Sequence, residues 1–193
     1  FKQPEDENIL LSAYNKAPNS VFQGKDQHKR TMLQRVIHAG CSSGIVQLTF
    51  ERSPESHQIE HDKGGNTVMH YAARRADNGI ITFLINNMNQ RNLVQCMSKR
   101  NKGGRTPLFE IIDSSSTHTM PIHRILNVSD TKTIWETKDK TGRFPIERVT
   151  TGTFELYADF VTRMTSPTTQ FYNNNTSILQ CIIRDQNTIS ISN

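Results

Sequence analysis

Residue types that can do chemistry are present in this chain, but few of them stand at spacings that chemistry uses. Seven histidines are scattered through 193 residues, and only His57 and His61 are separated like a pair of metal ligands. On a helix, i and i+4 imidazoles share a face, and Glu60 and Asp62 would add oxygens for a divalent cation. The segment Ser53–Gln58 reads as a loop, however, where that spacing has no such consequence. Gly64-Gly65 and Gly103-Gly104 lack the rest of a phosphate-binding loop, and neither HExxH nor a nucleophile elbow occurs. Cys41, Cys96 and Cys181 are far apart, odd in number and form no CxxC pair, so they read as buried reduced thiols. The chain is therefore expected to be no enzyme, and to hold no metal, no cofactor and no small-molecule substrate.

The elements that carry these residues are modestly apolar. Hydrophobic residues make up 34% of the chain and charged residues 21%, and mean hydropathy is −0.60. That balance suits a thin, elongated fold with much surface for its mass better than a compact globule. A net charge of +5 makes acidic partners plausible. No apolar run approaches the roughly 18 residues of a membrane span, so no membrane association is expected. Two sequons, at Asn127 and Asn175, read as chance in an Asn-rich sequence.

An internal repeat decides the fold. Three segments align: Asp62-Lys63-Gly64-Gly65-Asn66-Thr67, Asn101-Lys102-Gly103-Gly104-Arg105-Thr106 and Asp139-Lys140-Thr141-Gly142-Arg143-Phe144. Each opens on Asp or Asn, continues with Lys and has Gly fourth. Each then leads to an aliphatic side chain at the eighth position: Met69, Leu108 or Ile146. A fainter copy begins at Asp26, and a last one around Ser177 and Leu179. Marked by Thr31, Thr67, Thr106, Phe144 and Ser177, the copies are spaced by 36, 39, 38 and 33 residues. Glycine at the fourth position fits a turn of positive φ. Thr67 and Thr106 can cap the helix that follows, and Pro107 and Pro145 fit its first position.

With Thr106-Pro107-Leu108 in one copy and His70 ahead of Ala72-Ala73 in another, the sequence resembles the ankyrin repeat, a unit of about 33 residues. The resemblance implies an all-α solenoid of about five to six helix–turn–helix units joined by short hairpin-like turns. The approximate units are 1–25 as an N-terminal cap, 26–61, 62–100, 101–138, 139–172 and 173–193 as a partial C-terminal cap. Second helices are read over Gly79–Ile85, around Ile122–Leu126 and over Phe154–Val161, and Ile9–Tyr14 reads as a helix closing the front of the stack. Extra residues at Ser53–Gln58, Asp113–Thr119, Thr165–Thr169 and Asn173–Thr176 are expected on loops where partners are met. The first unit departs from the pattern with Lys29 for Gly and Gln34 for His, and the fourth with Phe144 for Thr and Glu147 for His.

Members of this family bind proteins with the tips of the turns and the exposed side of each first helix. Carried onto this sequence, the resemblance implies a partner-binding strip of Lys63, Tyr71, Arg74, Arg75, Lys102, Arg105, Lys140, Arg143 and Arg148. The strip is expected to be mostly basic, with Tyr71 exposed near its centre and a protein partner of acidic or mixed charge. The number and irregularity of the units resemble IκB-like regulators of transcription factors, and equally pathogen effectors built on ankyrin repeats. The competing expectation is association with nucleic acid through the basic surface. In either case the chain is expected in the cytoplasm or nucleus.

Overall fold

A computed structural model describes residues 4–114, 134 and 137–148. The expected helices at 122–126 and 154–161, and the extra residues at 115–119, 165–169 and 173–176, lie outside that range. Among the described residues the chain is all-α, with one isolated antiparallel bridge between Lys25 and Thr31. First helices α3 (Met32–Ala39), α5 (Val68–Arg74) and α8 (Pro107–Ser114) stack in chain order. Second helices α4 (Ser43–Arg52) and α6 (Asn78–Asn87) stack behind them, with α1 (Pro4–Lys16) against α4. A single turn of helix, α2 (Ser20–Gln23), carries the buried Phe22 against α3.

Helices α3, α5 and α6 start where the sequence supplies a bonded cap, whereas Thr106 Oγ1 ahead of α8 bonds nothing among the described residues. Thr31 Oγ1 accepts from the Gln34 amide at 3.3 Å, while Gln34 Oε1 accepts from the Thr31 amide at 3.0 Å. Asp77 caps α6 by accepting from the Ile80 amide at 3.0 Å. Helix α3 ends on Gly40, left-handed at φ 81°. Leu33, Ile37, Met69, Ile81, Leu84 and Leu108 are fully buried between the layers. Ala72 and Ala73, also fully buried, keep α5 slim where helices press on both sides of it.

The turns form a second stacked system. In each, the first residue's amide donates to the fifth residue's carbonyl: Asp26 to Arg30 at 3.1 Å, Asp62 to Asn66 at 3.0 Å, Asn101 to Arg105 at 2.9 Å and Asp139 to Arg143 at 2.9 Å. The first side chain then accepts from amides inside its own turn, as Asp62 Oδ1 does from Asn66 at 2.7 Å. Successive turns are tied by the amides of Lys63, Lys102 and Lys140, which donate to the carbonyls of His28, Gly64 and Gly103 at 2.9, 2.7 and 3.2 Å. Gly65, Gly104 and Gly142 stand at φ 80°, 76° and 80°, and Lys29 takes the same left-handed position at φ 61°.

Two departures from the sequence reading concern the extra residues. A further helix, α7 (Gln90–Ser98), fills the long second unit and packs on α5 and α8. Asn89 caps it, accepting from the Asn92 amide at 2.8 Å. The Ser53–Gln58 segment is not a free loop. Glu55–Gln58 form a 3-10 turn with His57 and Gln58 buried. Glu55 bonds Asn89 and Asn92, and the Cys96 thiol lies 2.8 Å from the Gln58 carbonyl. That insertion packs against α7 through Glu55 and Gln58, while Glu55 and Ser56 stay exposed.

Candidate functional site

The expected binding strip divides into two populations with different electrostatics. At the turn tips, Lys63, Lys102, Lys140 and Arg143 are exposed. Their backbones are pinned by the turn-to-turn bonds, while their side chains reach into solvent without a partner among the described residues. Lys29 is also exposed on the first turn, at the position its counterparts fill with glycine, while Gln27 holds the place of the row's lysines. Lys29 lay outside the expected site, although a lysine at a glycine position was the visible signal.

The arginines behave differently, because carboxylates stand between them. Arg74 Nη2 donates to Asn66 Oδ1 at 2.7 Å and to Glu110 Oε1 at 3.0 Å. Arg105 reaches Glu110 Oε2 at 3.8 Å, pairs with Asp113, and lies over the Phe109 ring. Arg148 pairs with Asp139 at 3.2 Å and Asp113 at 3.7 Å. Asn66 closes the chain of contacts by donating to Asp62 at 3.1 Å. The first-helix side of the turns is thus a ladder of alternating charge, Asp62–Asn66–Arg74–Glu110–Arg105–Asp113–Arg148–Asp139, in which Glu110 is only 8% exposed. The expectation of a mostly basic strip is corrected for Arg74, Arg105 and Arg148, which are paired with carboxylates of the chain itself. Arg75 stands apart, exposed, with Nη1 donating to the Ile37 carbonyl at 3.3 Å.

Tyr71 is the second correction. It is 7% exposed rather than outward, its hydroxyl donates to Asp62 Oδ2 at 2.7 Å, and its ring packs edge-on against His38 at 5.4 Å. Burial, and then the neighbouring Asp62 carboxylate, push the phenol up to about 12. Burial alone would raise the Asp62 carboxyl, but hydrogen bonds from Tyr71 and Asn66 outweigh it and hold the group below its ordinary value. Asp139 is likewise penalised by burial yet held at about 2 by hydrogen bonds from Thr141, Arg143 and Arg148. These carboxylates are anionic clamps of the turns, not acids or bases. No group of three His, Cys, Asp or Glu among the described residues is placed to hold a metal, and no helix among them is long and apolar enough to cross a membrane.

No protein-family model matches the sequence, and no curated protein is similar to it at a significant level. The structure is similar to a crystal structure of an ankyrin repeat domain from Acinetobacter baumannii AYE, with a TM-score of 0.57 and 18% identity over 79% of this chain and 70% of that one. At that identity the likeness speaks for the fold. Together with the capped first helices, the stacked turns and the repeat period, it makes this chain a solenoid of the ankyrin-repeat fold.

Proposed function

We propose that this solenoid is a protein-binding module whose contact surface centres on the turn tips. The observation that carries this reading is the row of Lys63, Lys102 and Lys140, exposed on turns that hydrogen bonds fix relative to one another, with Lys29 exposed on the turn before them. Rigid presentation of unpaired charge favours association with an acidic or mixed-charge protein surface at small ordering cost. Arg143 belongs to the same row of tips, while Arg75 stands at the opposite end of α5. Arg74, Arg105 and Arg148 enter the contact surface only as members of a ladder paired with carboxylates, and Tyr71 supports it from within. The chain then acts in the cytoplasm or nucleus as an adaptor without catalysis.

Nucleic-acid association is the second reading, and net charge is its support. The carboxylate-paired arginines and the buried Tyr71 count against it, since single strands need stacking aromatics beside free cations. Regulation of a transcription factor in the IκB-like manner, or action as a pathogen effector, rests on the number and irregularity of the units and on no residue of this surface.

Affinity purification with mass spectrometry, comparing wild type with Lys63→Glu/Lys102→Glu/Lys140→Glu, tests the proposal. A discrete protein recovered by wild type and lost by the variant is the expected result. Equal recovery by both moves the contact off the tips, and retardation of labelled DNA at physiological salt moves the function to nucleic acid.

A further inference from the structure

Between α1 and α3, at the front of the array, lies a hollow of about 220 Å³ lined by Tyr14, Arg30, Met32, Arg35, Val36 and His38. We propose that this hollow seats a carboxylate side chain of the protein partner, an inference that rests on the protein-binding reading above. Its chemistry differs from that of the ladder further along. There each arginine meets a carboxylate, whereas no acidic residue lines this hollow.

Arg35 is exposed and pairs with no carboxylate among the described residues. Arg30 is held through Nε to Asp26 Oδ2 at 2.7 Å, which fixes its position and offsets its charge. His38 is set by its edge-on contact with Tyr71. Burial raises the Tyr14 hydroxyl above its ordinary pKa, so it stays protonated and able to donate. The site therefore offers one uncompensated full charge, from Arg35, amid further donors. That matches a monoanion better than a phosphate dianion, which would bring charge that nothing here balances. Met32 at 7% exposure and Val36 at 2% supply an apolar floor for the stem that carries the carboxylate. The volume falls below the roughly 300–1,000 Å³ of small-molecule sites, which suits one side chain rather than a free metabolite.

The test is a titration of the whole chain with 3-phenylpropionate, an apolar stem ending in a carboxylate, followed by heteronuclear NMR. The uncharged 3-phenylpropionamide and the dianionic phenyl phosphate serve as comparators at constant ionic strength. Saturable shifts at Arg35, His38 and Cys41 are expected, with at least tenfold weaker binding of either comparator. Arg35→Gln should abolish the shifts while leaving the melting temperature unchanged, because the Arg35 side chain is exposed and pairs with no carboxylate among the described residues. Absent or unsaturable shifts, equal binding of the amide, tighter binding of phenyl phosphate, or shifts that survive Arg35→Gln would each overturn the proposal. The titration needs no partner, so its failure leaves the tip-row reading standing. Equal partner recovery by the tip variant would sink that reading without touching this one.

Discussion

The imidazole of His70 donates from Nε2 to the carbonyl of Arg105 at 3.0 Å, one repeat further along, while its Nδ1 accepts from the amide of Thr67 at 3.1 Å. Both nitrogens are thereby committed in the neutral tautomer. Burial then lowers the pKa to about 4. The unfolded chain, with an ordinary histidine near 6.5, binds the proton first as pH falls. His70 thus contributes stability that is fully present above about pH 6.5 and is lost as pH drops through 4. The loss is of order 3 kcal/mol across that window. Gln34 makes the same bridge without titrating: its Oε1 accepts from Thr31, and its Nε2 donates to the Glu60 carbonyl at 2.8 Å and the Asn66 carbonyl at 3.3 Å. His70→Gln should therefore keep stability at pH 7 within about 1 kcal/mol of wild type. Urea melts at intervals from pH 7 to pH 4 should show a much flatter dependence for the variant. Parallel curves would mean that His70 is not the titrating link.

The bridge also shows how far the sequence could be read. The repeat period, the left-handed glycines and Thr67 with His70 are local signals, each dictated by one turn's own hydrogen bonding, and they were legible. Gln34 reads as a loss of the motif histidine, yet it reproduces both hydrogen bonds, because an amide offers the same donor and acceptor. Helix α7 was missed although Asn89 caps it and Leu93, Cys96 and Met97 share its buried face; the run is polar enough to pass for a loop. Tyr71 was misplaced because facing away from the helix layers is not the same as facing solvent. The Asp62 carboxylate that covers its hydroxyl comes from the preceding turn, nine residues back, and helix periodicity carries no information about it.

Lys29 holds the left-handed position that its counterparts fill with glycine. A side chain there costs about 1–2 kcal/mol, partly offset by the lower backbone entropy of a non-glycine residue in the unfolded chain. Lys29→Gly should raise stability by about 1 kcal/mol in equilibrium unfolding. No change, or a loss, would show that the Lys29 side chain makes a compensating contact.

The stacking of turns can be isolated by comparing two glycines of similar φ. A methyl group on Gly104 would sit 2.9 Å from the Lys140 amide nitrogen, backbone against backbone, whereas one on Gly142 would meet nothing within 4 Å among the described residues. Gly142→Ala should cost only the conformational strain, about 1–2 kcal/mol. Gly104→Ala should cost clearly more, because the bond from Lys140 to the Gly103 carbonyl must open. Equal losses on thermal unfolding would mean that contact between turns adds little.

Leu108 is fully buried in α8, at the heart of the best-formed repeat. Leu108→Ala should cost about 2–5 kcal/mol, the usual range for a truncated core leucine. A neutral result by denaturant titration would contradict the helix packing described above.

The last prediction separates the two populations of the charged surface. Reversal of Lys63, Lys102 and Lys140 removes charges that are solvated and unpaired, so melting should change little. Association with an acidic partner should slow, and its decline with added salt should become shallower or turn into a rise, because the attractive field at the tips has been replaced by a repulsive one. Arg105→Ala acts on the other population. It strips Asp113 of its closest cation and leaves the mostly buried Glu110 with Arg74 alone. The cost of a buried carboxylate losing a partner should appear as about 1–2 kcal/mol of lost stability. A partner's on-rate should change less than in the lysine variant, since one positive charge is removed where the reversal shifts two at each of three lysines. Calorimetry of both variants and surface plasmon resonance at two salt concentrations read these quantities independently. If the lysine variant lost stability and the Arg105 variant lost only association rate, the division into free tips and paired ladder would be reversed.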